Sequence, residues 1–506
     1  NNIMFWADKL LEGRNGNEWI NDAWTPSGMV HMGSMKGPVM HDVLFRMLKE
    51  RGTKVKFTYG FDDADPLDGL PPGLMKTHEK YLGVPIHIAP SPDGNGSFSD
   101  YFGNKLRKIL NELGIGGEIY RTSEHYKNGT FDKAIEFVLD HTAEIKKVYE
   151  DMYKKTLSNE WYPLQVICPN CGKLGTTKVI AWDGKEVDFS CEPNLVVWAK
   201  GCGTKGKISP FGGNSKMPYK VEWAAKWWTY GVTIEGAGKD HMSAGGTYDV
   251  ASKILSDVFK HKLPLRFTYE FFLSGGKKMA SSKGIGLNGE ELLEILAPEL
   301  VRFLMLKNPP HRAVEFTPSG TDLIPRLYDE YEEYAEIYFQ AIKEGTVNES
   351  DKAKVFKYSQ IGEIKHPPKV KFSILTQWIQ MPNMADEIKR NGLEEWVSYA
   401  KVWLEKYAPE DKKFEIQKEL PDAAKDLSYK QKELLKKTSQ FATDTTDPNE
   451  LQTKIYELGK SLDISSSETF EAFYKVLIGK NHGPKLAWLI LSLDPKFVKK
   501  RFEEAS

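Results

Sequence analysis

The sequence predicts an α/β domain interrupted by a cysteine-bearing insertion and followed by an all-helical region. Three observations predict it. Strand and helix patterns alternate at the start of the chain and return near residue 232. All four cysteines fall in one window, 168–202. From about Leu292 onward only helical patterns recur. At 506 residues the chain is too long for one core, and about three or four domains are expected.

The first strand is marked by Trp19, Ile20 and Trp24. A turn rich in small residues follows, Thr25-Pro26-Ser27-Gly28-Met29-Val30-His31-Met32-Gly33-Ser34. Val39, Met40, Val43, Leu44, Met47 and Leu48 then fall at helical spacing, and Gly52 is a natural stop. Val55, Phe57 and Tyr59 alternate as a second strand, which completes one β-α-β unit. Gly28 and Gly33 let backbone approach a ligand closely. The free N–H groups at the helix start favour an anion. His31 adds a donor that can follow charge developing on a phosphate oxygen. Pro38 lies early in the helix, where a missing N–H costs little.

Asp62, Asp63 and Asp65 sit just beyond the second strand. Open α/β sheets bind ligands at that edge, and an acidic cluster there suits a cationic substrate. A polar loop with an Asp-Pro turn has the same composition. Residues 83–96 form a loop rich in Pro, Gly and Ser, and helices are expected over 101–113 and 132–157. Cys168 and Cys171 then frame a knuckle whose tight turn aims two thiolates at one metal. Cys191 and Cys202 complete the set, with Cys202 between two glycines. Concentration of every cysteine here points to a four-thiolate structural zinc ribbon, against the competing readings of buried thiols or a redox pair. The ten residues between Cys191 and Cys202 are more than a second knuckle ordinarily has.

Tyr219, Trp223, Trp227, Trp228 and Tyr230 are dense aromatics that suit a core, and ring faces also hold amines. A strand expected over 232–235 leads to Gly236-Ala237-Gly238-Lys239-Asp240-His241. A glycine turn ending in Asp suits a ribose hydroxyl, and Asp240 also suits a helix N-cap. Another strand, over 267–271, leads to Lys277-Lys278-Met279-Ala280-Ser281-Ser282-Lys283-Gly284. That loop of small residues can fold its ammonium groups over a triphosphate. Charged amphipathic helices recur over 329–343, 393–407 and 430–441, and the stretch 470–501 is broken by the basic turn Gly479-Lys480-Asn481-His482-Gly483-Pro484-Lys485.

The net charge of −1 argues against a uniformly basic nucleic-acid binder, so a polynucleotide partner needs a local basic face. Four cysteines in 506 residues do not make a disulfide scaffold. No apolar run reaches transmembrane length and no signal-peptide pattern is seen, so no membrane partner and a cytoplasmic location are expected.

Taken in order, the glycine turn, Asp-Asp-x-Asp, Ala-Gly-Lys-Asp-His, Tyr-Glu-Phe, the lysine loop and Gly-Lys-x-x-Gly-Pro-Lys resemble class I aminoacyl-tRNA synthetases, specifically the archaeal-type class I lysyl-tRNA synthetases. The signatures of class I are written His-x-Gly-His and Lys-Met-Ser-Lys-Ser. Here the first ends in Ser34. The second has Ala280 at its third place and Ser281 for its second lysine, with Lys283 two places on.

The resemblance implies a Rossmann-type catalytic domain over 1–100 and 220–290, with a zinc-bearing insertion over 101–219. It also implies a stem-contact region over 291–345 and an all-α anticodon-binding domain over 346–506. ATP with Mg2+, structural Zn2+, L-lysine and tRNA(Lys) come with it. By resemblance His31 and Lys278 are catalytic, with Ser34 and Lys283 as auxiliaries. ATP falls to Pro26, Gly28, His31, Gly33, Ser34, Gly238, Asp240, Lys278, Met279, Ser281 and Ser282. Lysine falls to Thr25, Asp62, Tyr219, Trp223, His241 and Tyr269. A glutamate-charging relative would need an arginine before the Pro-Ser-x-Gly turn, and Asp22-Ala23-Trp24 offers none. A non-catalytic tRNA-binding paralogue is the alternative from another class.

Overall fold

A computed structural model describes residues 5–279 and 286–506. The chain divides into two units. The first takes the chain up to Leu293, with Val301–Phe316 and Thr346–Ile364. The second takes Glu294–Leu300, Thr317–Gly345 and Lys365–Ser506.

Unit 1 begins with the expected β-α-β. Strand β1 (Glu18–Trp24) pairs in parallel with β2 (Val55–Phe61), from Glu18 opposite Val55 to Trp24 opposite Phe61. Helix α1 (Lys36–Glu50) joins them and stops at Gly52, whose φ is 74°. Val39, Met40, Val43, Leu44 and Leu48 are fully buried, each contributing roughly 1.5–3 kcal/mol. After α2 (Phe98–Glu112), β3 (Glu118–Arg121) adds in parallel to β2, so β2 is central. α2 opens on a reciprocal cap between Ser97 and Asp100.

The single helix expected over 132–157 is two, α3 (Asp132–Asp140) and α4 (Thr142–Tyr153). The break is at His141 (φ −106°, ψ 26°), whose ring contacts the Phe137 carbonyl while Thr142 bonds back to Leu139. Such local side-chain bonds compete with the helix ladder. The cysteine segment carries the antiparallel sheet β4 (Thr177–Trp182), β5 (Val187–Cys191) and β6 (Lys205–Ile208). Helix α5 (Tyr219–Tyr230) then returns to the parallel sheet.

The strand expected over 232–235 is reduced to single bridges, Ile20 to Ile234 and Ile234 to Leu265. It hydrogen-bonds on both sides, Asn21 N–H to the Ile234 carbonyl and Leu265 N–H to that of Thr233. Pro264 lacks an N–H, which limits the ladder. The strand expected over 267–271 changes partner midway. After β7 (Ala237–Gly238) and α6 (Thr247–Asp257), β8 (Thr268–Tyr269) pairs with β7. β9 (Phe272–Ser274) instead pairs with β10 (Lys277–Lys278) and β11 (Val314–Glu315). The crossover falls at Glu270 and Phe271.

The secondary structure of unit 2 is helical, but the expectation of helix alone after Leu292 fails at β11, where Val314 and Glu315 pair with Phe272 and Leu273. α7 (Leu323–Glu344) ends at Gly345, φ 72°, and stacks Tyr328 on Phe372 of α8 (Phe372–Trp378) at 3.8 Å. Further on, α9 (Tyr429–Thr438) and α10 (Ser466–Leu477) each open on a reciprocal cap, Ser428 with Gln431 and Ser465 with Glu468. The stretch expected as one broken segment resolves into α10, α11 (Leu486–Ser492) and α12 (Pro495–Glu504), with the Gly479–Lys485 turn between the first two. Among the described residues no helix is long and apolar enough to cross a membrane.

Candidate active site

One cleft of about 280 Å³ lies at the carboxyl ends of β1 and β2. His31, Gly33 and Ser34 line it from the turn, Gly238 and Asp240 from the glycine segment, and Lys278 and Met279 from the lysine loop. The two distant signatures therefore share one cleft. Backbone bonds fix the approach: Met32 N–H to the Leu287 carbonyl at 3.1 Å and Gly289 N–H to that of Val30 at 2.7 Å.

His31 caps the short turn Met32–Met35, its Nδ1 accepting from Gly33 N–H at 3.1 Å. That assigns the proton to Nε2, which makes His31 a donor. Lys278 is paired with Asp240 and lies 3.9 Å over the Phe271 ring. Lys36, buried at the start of α1, donates to the Glu270 carbonyl at 3.1 Å and so ties the turn-bearing helix to the crossover. Burial pulls its ammonium down to about 8.

Of the residues expected around lysine, Asp62, Tyr219, Trp223, His241 and Tyr269 line the same cleft. Trp223 packs edge-on to His241 at 5.9 Å, and burial pushes the His241 ring below its ordinary range. Thr25, Pro26 and Gly28 do not line it. Thr25 donates instead to Asp65 at 2.9 Å, and Gly28 faces Pro71. Ser281, Ser282 and Lys283, with Ala280, lie outside the described residues. Asp240 follows the N-cap Gly238 in its short helix and is not itself the cap.

The Asp62 carboxylate is already taken. Lys226 pairs with it, and Thr122 donates to it at 2.7 Å. Lys226 also faces Glu222 at 3.4 Å; Lys216 pairs with Glu222 at 3.1 Å and with Asp65 at 2.9 Å. Burial opposes the charge on Lys226, but Asp62 and Glu222 outweigh it and hold the ammonium well above its ordinary range.

Four carboxylates that line the cleft were not foreseen, Asp22, Glu222, Glu235 and Glu270, and of these Asp22 and Glu235 have no ammonium or guanidinium partner among the described residues. Asp22 accepts from Ala23 N–H at 2.9 Å and faces the His41 ring at 3.5 Å. His41 Nε2 accepts from Gly236 N–H at 3.0 Å, so its proton sits on Nδ1, 2.7 Å from the Gly37 carbonyl. Burial lowers the His41 pKa to about 4, so the ring is neutral. Glu235 accepts from Trp227 Nε1 at 2.6 Å and Asn21 Nδ2 at 3.3 Å. Burial raises Asp22 to about 8 and Glu235 to about 8. Gly37 makes room for this corner: a Cβ there would meet the Tyr269 hydroxyl at 2.5 Å and Asp22 Oδ2 at 2.9 Å. The available sequence signal was an acid inside the first strand pattern, at Asp22, and one ending the short pattern 232–235, at Glu235.

The four cysteines converge. Their sulfurs all lie within 4.8 Å of one another, with 3.6 Å from Cys168 to Cys202 and 3.7 Å from Cys171 to Cys191. None is in a disulfide. Zinc–thiolate bonds of about 2.3 Å in a tetrahedron place sulfurs about 3.8 Å apart, so the set fits such an ion. The long gap closes because the chain leaves at Cys191 and returns through Gly201 N–H to Glu192 and Gly203 N–H to Cys191.

The sequence profile of the tRNA synthetases class I (K) family matches residues 4–362. A lysine–tRNA ligase of Picrophilus torridus is 32% identical, over 99% of this chain and 98% of that one. One of Thermoplasma volcanium is 33% identical over 98% and 97%. One of Archaeoglobus fulgidus is 31% identical over 99% and 100%.

Proposed function

The chain belongs to the class I lysine–tRNA ligases, and from that premise we propose how its cleft activates lysine and charges tRNA(Lys). The observation that supports the reading is the cleft itself, where the glycine turn at His31 and the side chain of Lys278 meet aromatic and acidic residues. The lysine carboxylate attacks the α-phosphorus of ATP in line. Lysyl-adenylate forms and pyrophosphate leaves; Mg2+, when bound, would offset the charge of the phosphates. The terminal ribose hydroxyl of the tRNA then attacks the lysyl carbonyl and AMP leaves. Neither step needs a covalent enzyme intermediate, so positioning and charge stabilisation carry the rate.

The Nε2–H of His31 and the ammonium of Lys278 stabilise the transferring phosphate, with Ser34 and Lys283 as auxiliaries. Gly33, Met279, Ser281 and Ser282 are assigned to ATP binding, and Pro26 and Gly28 shape the turn. Gly238 and Asp240 hold adenosine. Before ATP enters, Asp240 and Lys278 hold each other, so the nucleotide parts an ion pair when it binds. Tyr219, Trp223, His241 and Tyr269 surround lysine. Thr25 and Asp62 support the pocket through their bonds to Asp65 and Lys226.

Cys168, Cys171, Cys191 and Cys202 hold a structural zinc that pins the insertion. A closed four-thiolate site leaves no position for a substrate. The helical residues 346–506 read the anticodon and 291–345 contact the stem.

Lysine-dependent exchange between ATP and labelled pyrophosphate tests this. Exchange with lysine and not with glutamate is expected. Exchange with glutamate, or none with any amino acid, would overturn the reading. Elemental analysis of the purified protein should find about one zinc per chain.

A further inference from the structure

Resting on the lysine reading above, we propose that Asp22 and Glu235 are specificity-determining residues that take up the substrate's ammonium in exchange for protons. Lysine enters as a cation. The two buried carboxyls give up protons to solvent and become its counterions. One proton lost offsets the one side-chain ammonium gained; a second leaves the occupied cleft one unit more negative.

The argument begins with partners. Neither carboxyl has a lysine or arginine within ion-pair distance among the described residues. Asp22 is faced by Tyr59 from β2, by His41 from α1, by Tyr269 from β8 and by Asp62. Three of those groups are neutral and the fourth is acidic. Glu235 is faced by Trp227 and Tyr219 from α5, by Asn21 from β1, by Tyr120 from β3, by Tyr248 from α6, by Tyr269 from β8 and by Asp22; the Lys226 charge also reaches it, but Lys226 is ion-paired with Asp62 and Glu222. The Tyr248 hydroxyl bonds only to the Glu235 backbone carbonyl, at 3.0 Å.

A carboxylate held away from water with neutral donors alone does not keep its charge. Both groups are buried, Asp22 to 7% exposure and Glu235 to 3%, yet both line the cleft. A fixed lysine or arginine would satisfy them permanently and shut out an amine. A neutral isostere of lysine has no charge with which to expel a proton.

Isothermal titration calorimetry of the full chain with L-lysine, in buffers of differing ionisation enthalpy, counts the protons. About one to two protons should leave per lysine near pH 7, and the dissociation constant should fall about tenfold per pH unit per proton below about pH 8. Glu235→Gln should release about one proton fewer, bind lysine more weakly and show a correspondingly shallower pH dependence. L-norleucine, if it binds, should release none. Tight lysine binding with no proton release would overturn the proposal and leave the lysine reading intact. Glutamate binding without lysine binding would overturn the lysine reading itself. If Glu235→Gln does not fold, the buffer series on the unaltered chain still decides.

Discussion

Two groups of carboxylates reach the cleft, one through Asp62 and Glu222 and the other through Asp22 and Glu235, and they are treated in opposite ways. Asp62, Asp65 and Glu222 alternate with Lys226 and Lys216 in a closed ladder of ion pairs. Tyr126, Thr122 and Thr25 supply further donors to it. Asp22 and Glu235 are also buried, but their hydrogen-bond donors are neutral and neither has a lysine or arginine within ion-pair distance among the described residues. In the ladder every carboxylate has an ammonium partner, and it serves as scaffold. The other pair leaves its charge to be satisfied by what enters. Burial alone therefore does not mark a binding carboxylate; the lack of a resident cation does.

The comparison can be broken at its strongest point by Lys226→Met. Both Asp62 and Glu222 would lose a cation inside the protein, and unfolding in denaturant should show a loss of about 3–5 kcal/mol. Lys278→Ala should act in the reverse sense. Its pair with Asp240 is half exposed, so stability should change by only ~0–1 kcal/mol. The rate of pyrophosphate exchange should fall about a hundredfold with lysine affinity little altered. Equal loss of lysine binding would contradict its assigned role.

Smaller effects sharpen the contrast. Asp22 and Glu235 each titrate near 8 in the folded chain, above the ordinary carboxylate range. The folded state then holds more protons than the unfolded one. Their contribution to stability is whole below the ordinary carboxylate range and is lost as pH climbs through about 8. Denaturation midpoints of the ligand-free protein, followed upward from about pH 5, should show that decline. Glu235→Gln should flatten part of it while shifting stability near neutrality by only about 1 kcal/mol, since the amide is neutral as the acid is. A flat pH profile in the unaltered protein would place a cation beside these carboxyls.

Much of the site was legible because its signals are local. The turn at Gly28 to Ser34, the helix after it and the stop at Gly52 follow from backbone freedom and spacing within one stretch of chain. The caps at Ser97, Ser428 and Ser465 are local as well. The aromatic run was ambiguous between core and pocket, and it is both: Trp227 is wholly buried while Trp223 and Tyr219 line the cleft.

Other features were not legible for the complementary reason. The acids at 62–65 looked open to a substrate, but Lys226, 164 positions beyond Asp62, occupies that carboxylate. Asp22 was noticed only for the arginine missing beside it. The ladder that reduced 232–235 to bridges involves Leu265 and Pro264, from a later segment.

By itself, then, the sequence determined where most strands, turns and helices fall, that the cysteines would gather, and that a glycine-rich and a lysine-rich stretch far apart in the chain carry the residue types of one site. Those properties depend on dihedral preference and residue type, which the chain carries locally. Only the tertiary structure decided which carboxylates keep a cation of their own. Charge compensation depends on distance in space, and residues 22, 62, 226 and 235 become neighbours only once the sheet has formed.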